Sequence, residues 1–249
     1  MGEESTSGGV GGFLKEVVII VALALLCSTL LRLFVIQAFV IPSRSMETTL
    51  NVGDRVAVQK VAGFARGDVV VFRDDLEWLG NPDRFSNPLW RDALTFVGLM
   101  PDESTNHLIK RVIGVAGDRV VCCDAEGRVS VNGMSLDESA YLYHTSGGDV
   151  IAASAYSFDV VVPAGRLFVL GDHRNNSADS RCHLTESVGG VAHLGGFPAT
   201  SSVVGTAAAT VFPFDRWRGF GTPAVFATVP AAAQPAPDAP VVTGAEPAC

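Results

Sequence analysis

Serine is common in any chain, and Ser45 stands out only by where it lies. It follows a long apolar run and sits two residues after Ser43, in the stretch Pro42-Ser43-Arg44-Ser45-Met46. A serine hydroxyl becomes a nucleophile only when a neighbouring base takes its proton. Two bases compete in this sequence. His173 beside Asp172 has the residue types of a charge-supported imidazole. No G-x-S-x-G elbow accompanies it. Lys110 is the alternative, on a segment whose period-two alternation groups it with Leu108 and Val112 and puts His107, Ile109, Arg111 and Ile113 opposite. An ammonium among such neighbours is desolvated, which lowers its pKa and lets the neutral amine accept a proton. A strand lysine is more commonly solvated, so the residues alone leave the base open.

The elements that would hold these groups can be read from pattern. Residues 17–31 are an uncharged apolar run, and extension through Ile36 gives a length that spans a hydrocarbon core of roughly 30 Å, with Arg32 snorkelling outward. This reads as one membrane helix ending before Pro42, because a residue preceding proline leaves the α region. A cleavable signal peptide is the rival, but the run continues bulky through Val40 where a small-x-small site would be expected. Strands are expected over 54–60, 69–72, 107–115, 119–123, 128–131, 158–162, 166–170 and 203–211, with an Asn132-Gly133 hairpin turn. Many glycines and prolines and little helical periodicity outside the anchor give an all-β class.

The resulting division is a disordered N-terminus over 1–15, a transmembrane helix over 16–37, a β domain over 38–218 and a disordered Ala/Pro-rich tail over 219–249. Within the β domain, residues 73–106 form a surface insertion whose Trp78, Phe85 and Trp90 pack on the body or enter the lipid interface. Residues 137–155 read as a surface excursion. The polar run 171–181 directly follows a core strand and must satisfy its own hydrogen bonds. A net charge of -8 excludes a nucleic-acid partner of the usual basic-faced kind. Cysteine spacing matches no zinc site, and a Cys122 or Cys123 bridge to Cys182 is conceivable. Lysine and arginine near the helix number one before it and two after it, Lys15 against Arg32 and Arg44, which opposes an inside N-terminus.

Three ordered stretches resemble the bacterial type I signal peptidases, membrane-anchored Ser-Lys proteases. They are Pro42-Ser43-Arg44-Ser45-Met46, Lys110-Arg111-Val112-Ile113-Gly114 with Gly117-Asp118, and residues 171–181; Gly53-Asp54 and Arg66-Gly67-Asp68 also fit. The resemblance implies a mixed antiparallel β body on one N-terminal transmembrane helix. It implies Ser45 as nucleophile, Lys110 as general base, and an oxyanion hole from Ser43 and the Ser45 backbone. Ser177 would orient the lysine amine, with Asp179 and Arg181 holding the site. It implies cleavage of signal peptides from exported preproteins after small-x-small sequences, near the export channel, without a metal or other cofactor. It also places the chain in the bacterial cell membrane as a single-pass protein in contact with the lipid bilayer, N-terminus cytoplasmic and catalytic domain outside, overriding the charge count. Thr48 stands where the family usually has proline, and His173 and Asn175 replace the usual asparagine and aspartate. Other classes remain: a repressor-type Ser-Lys autoprotease, which would lack the anchor, or a non-enzymatic membrane-anchored β scaffold, which would leave Lys110 without a role.

Overall fold

The computed structural model describes residues 9–80, 90, 94 and 106–245. Helix α1, Gly9–Phe34, includes a 24-residue apolar stretch, about 36 Å at the α-helical rise and long enough to cross a bilayer. Its side chains are largely exposed, so it is not the core helix of the β body. Residues 9–15, expected to be disordered, are its first turns. The helix stops earlier than expected from Pro42, because strand β1 (Ile36–Val40) already pairs antiparallel with β2 (Arg55–Gln59). The bulky, β-prone residues after Phe34 gain more from sheet pairing than from further helix. Lys60 ties the junction, its backbone N–H donating to the Val35 carbonyl at 2.9 Å and its amine to the Arg32 carbonyl at 3.0 Å.

Two antiparallel sheets make the body. The larger runs β1-β2-β10-β3-β4-β9, where β3 is Val69–Arg73, β4 is His107–Val115, β9 is Leu167–Leu170 and β10 is Val203–Phe212. A short β11 (Arg218–Gly219) adds to β10. Alternation in β3 sends Val69 and Val71 to a core with Met46, Leu50, Val56, Val58 and Ile109. Val70 and Phe72 go to the opposite face with Leu108, Val112 and Val169. Burial on both faces explains why these strands read as near-continuous apolar runs.

The smaller sheet runs β12-β8-β5-β6-β7, with β5 at Arg119–Cys122, β6 at Val129–Val131, β7 at Met134–Ser135, β8 at Phe158–Val161 and β12 at Val241–Val242. Its core joins Val120, Val131 and Phe158 to Ile113, Phe168 and Phe197 of the rest of the body.

Three expectations are corrected here. The tail is ordered through residue 245: Phe226 and Val229 are buried in the core and β12 covers the edge of β8. It also gives backbone carbonyls, Pro230 to Asn132 Nδ2 at 2.9 Å and Pro237 to the Ala164 N–H at 2.8 Å. A proline-rich segment needs no amphipathic period to do this, since its backbone is already stiff and extended. The 137–155 excursion is a surface one only in part: residues 144–150 are exposed, but Glu138, Tyr141, Leu142 and Ala153 are buried and tie it to the body. Finally, Cys122 and Cys123 are bonded to each other. Neither sulfur is left for Cys182.

Trp78 packs on the body, stacking on His183 at 4.6 Å and donating its indole N–H to the Gly195 carbonyl at 2.9 Å. Trp90 is exposed, and Phe85 lies outside the described residues.

Candidate active site

The turn that carries Ser45 begins where β1 ends. Ile41 exchanges backbone hydrogen bonds with Gly53 and Asp54, both at 2.9 Å, closing residues 42–52 into a loop. Met46 and Leu50, fully buried, pin the loop to the sheet, and the Leu50 N–H donates to the Met46 carbonyl at 2.6 Å. Ser45 is buried while Ser43 is exposed beside it, their hydroxyl oxygens 3.3 Å apart.

Lys110 comes from the middle of β4, paired with Val70 of β3, and is 3% exposed. Its amine donates to Ser45 Oγ at 2.7 Å and to the Ile109 carbonyl at 3.2 Å. Burial brings its pKa down from 10.5 to about 8; the charges of Asp179 and Asp172 oppose the fall and that of Arg181 assists it. At pH 7 only roughly a tenth of the amine is then uncharged, and the share able to take a hydroxyl proton grows to about half at pH 8.

Residues 171–181 form the third wall. Asp179 accepts from the Gly171 N–H at 3.0 Å and from Arg181 Nε and Nη2, both at 2.8 Å. Burial pushes this carboxyl up, but the Arg181 charge and hydrogen bonds, the Gly171 N–H and the nearby Ser177 hydroxyl hold it below the usual range. Arg181 also donates to the Arg174 carbonyl at 2.8 Å, fixing the loop's return. At Gly171 a Cβ would lie 2.3 Å from Ser177 Oγ and 2.5 Å from the Ser45 carbonyl oxygen, so only glycine allows the loop to close on the nucleophile turn.

The six sequence-predicted residues are placed unevenly. Ser43, Ser45 and Lys110 meet, and Asp179 pairs with Arg181. Ser177 is buried against Gly171, but its hydroxyl makes no hydrogen bond of good geometry, and the Lys110 amine is directed instead at Ser45 and Ile109.

The Asp172-His173 pair does not form. Both Asp172 oxygens are taken by Arg111, at 2.8 and 2.6 Å, and Thr49 Oγ1 donates to Oδ2 at 2.5 Å. The His173 ring instead stacks on Tyr143 at 3.8 Å, with Nδ1 3.1 Å from Glu47 Oε2 but out of line for a hydrogen bond. Its backbone N–H donates to the Ser45 carbonyl at 3.0 Å.

Sequence reasoning missed the charged scaffold behind the site. Arg111, one residue from Lys110 and on the opposite strand face, joins Asp172 and the Gly67 carbonyl, the latter at 2.6 Å. Arg174 is held by Glu138 in a bidentate pair and donates to the Gly171 and Ala153 carbonyls at 2.9 and 2.8 Å. The Tyr141 hydroxyl donates to Glu138 at 2.6 Å, and the Arg111 guanidinium lies 4.1 Å from the Tyr141 ring centre. The signal for Arg111 was present in its alternation opposite Lys110. Nothing local marked Glu138.

An antiparallel β body thus carries one helix long and apolar enough to cross a membrane and brings a buried serine hydroxyl against a buried lysine amine, a nucleophile type beside a base type. Comparison with known proteins narrows the class. The family model described as signal peptidase, peptidase S26, matches residues 14–212. A probable signal peptidase I of Mycobacterium leprae is 36% identical over 232 residues, 84% of this chain and 80% of that protein. Signal peptidase I of Mycobacterium tuberculosis H37Rv is 35% identical over 225 residues, 82% and 74% of the two chains. The crystal structure of a signal peptidase I from Enterococcus faecalis V583 matches over 59% of this chain and 98% of its own at 22% identity, with a TM-score of 0.31. The chain belongs to the S26 signal peptidase family.

Proposed function

We propose that this protein is a membrane-bound endopeptidase that removes signal peptides from exported preproteins through a Ser45-Lys110 dyad. The carrying observation is the 2.7 Å contact between the two side chains, with the amine's pKa lowered to about 8 by burial. Neutral Lys110 takes the Ser45 proton as Oγ attacks the scissile carbonyl carbon, giving a tetrahedral intermediate. The Ser43 hydroxyl and the Ser45 backbone N–H stabilise the oxyanion. The Lys110 ammonium then returns its proton to the leaving amine, leaving an ester on Ser45. Water, deprotonated by the same amine, hydrolyses the ester and frees the enzyme. Asp179 with Arg181, and Ser177 beside Gly171, keep the loop against the dyad.

In this reading the anchor lies in the bacterial cell membrane with the N-terminus inside and the β body outside. The cleavage loop then works close to the bilayer and the export channel. An extended substrate strand would present alternate side chains to two shallow pockets, favouring small-x-small sequences. The test is incubation of the detergent-solubilised full chain with an exported precursor, followed by sequencing of the new N-terminus. A cut after a small-x-small site that disappears with Ser45→Ala is expected. An uncut precursor, or equal cutting by Ser45→Ala, overturns the assignment.

A further inference from the structure

Thr48 lies at φ 83°, in the left-handed region, three residues beyond Ser45. A β-branched side chain is disfavoured there, and a proline could not adopt this angle at all. Something must therefore hold the turn in this form. The Arg218 guanidinium, carried by β11, donates through Nη2 to the Thr48 carbonyl at 2.7 Å and also to the Thr49 carbonyl. Thr49 in turn donates to Asp172, at the base of the 171–181 loop.

A second arginine closes the same loop at its far end. Arg216 Nη2 donates at 2.8 Å to Asp54 Oδ2, which also accepts the Asn51 N–H at 2.9 Å. Asp54 is 1% exposed, and its backbone closes the loop on Ile41. The segment that supplies both arginines is fixed to the sheet by the pairing of Thr210 with Arg218 and of Ala209 with Gly219.

We infer that Arg218 is a positioning residue, a clamp that holds the left-handed Thr48 turn and through it the orientation of Ser45, with Arg216 securing the loop's other end. Removing the clamp lets the turn relax toward a commoner backbone and carries Ser45 Oγ away from Lys110. Small displacements of a reacting atom are costly to rate, whereas the substrate-binding surface is left in place.

The inference rests on Ser45 as nucleophile, and its test separates the two. Five full-length proteins in detergent are compared: wild type, Arg218→Ala, Arg218→Lys, Thr48→Gly and the variant with both Arg218→Ala and Thr48→Gly. Arg218→Ala is expected to lower kcat about tenfold with KM within about twofold, the pattern of a lost transition-state geometry. Glycine has no penalty at φ 83°, so in the Thr48→Gly background the same substitution should cost no more than about twofold, a non-additive cycle. Arg218→Lys keeps the charge but not the guanidinium nitrogen that reaches both carbonyls, and should show a smaller loss of the same kind. Hydrogen exchange over residues 44–52 should quicken in Arg218→Ala. Unchanged exchange, an additive cycle or an effect confined to KM overturns the clamp. Full activity of Ser45→Ala would instead overturn the function, with the exchange result still deciding whether Arg218 holds the turn.

Discussion

The Lys110 amine lies 2.7 Å from the Ser45 hydroxyl oxygen although 65 positions separate the two residues in the chain. If this contact is the dyad, kcat/KM for precursor cleavage should rise with pH through a single ionisation near the Lys110 pKa of about 8. Lys110→Arg keeps a cation that cannot lose its proton in this range, and should abolish cleavage. A folded Lys110→Arg enzyme working at the wild-type rate would show that the charge, and not the base, is needed.

The same burial has a cost in stability. The amine's pKa is about 8 folded against 10.5 ordinarily, so between these values the unfolded chain holds a proton that the folded protein lacks. Stability contributed by this group therefore rises with pH across that window, and below pH 8 the full penalty applies, about 3 kcal/mol. Lys110→Met should be inactive yet more stable than wild type at pH 6, with the gain shrinking by pH 10. Urea unfolding at the two pH values measures this, and a less stable Met variant at pH 6 would contradict it.

Glu138 is the counter-charge of Arg174, and both are 3% exposed. Glu138→Ala strands a buried guanidinium, a change that typically costs about 3–5 kcal/mol. Since Arg174 ties down the Gly171 carbonyl, cleavage should fall with stability. A loss under about 1 kcal/mol in denaturant unfolding would mean that water reaches Arg174 and the pair is not sealed.

The tail is a structural strap. The Phe226 ring lies over Gly67, where a Cβ would come within 2.4 Å of it, and stacks on Tyr141 at 6.3 Å. Phe226→Ala should destabilise the body by about 3–5 kcal/mol. Removal of residues 240–249 takes away β12 and bares the edge of β8, so concentration-dependent association is expected in light scattering. A truncated protein that stays dispersed and as stable as the full chain would show that the strap contributes nothing.

Whatever is periodic within a few residues was legible from the sequence alone. The alternation around Lys110 placed it among Leu108 and Val112, and the other strands of the large sheet's centre were found from the same period because two buried faces demand it. The apolar anchor was legible by length and composition, though not its end, since the helix stops where β1 finds β2. Residue type and position made Ser45 and Lys110 candidates but left His173 beside Asp172 open as the base until the family resemblance was added, and the dense polar run over 171–181 could be seen to need internal partners. Tertiary structure decided which partners those were. Asp172 looked suited to its neighbour His173, but Arg111, reached by β4 pairing with β9, presents a fixed two-pronged donor that a sequence neighbour cannot match. Glu138, Arg218 and the tail carry no local periodicity at all. Their roles arise from buried carbonyls, a buried cation and an open sheet edge that exist only once distant segments have packed together.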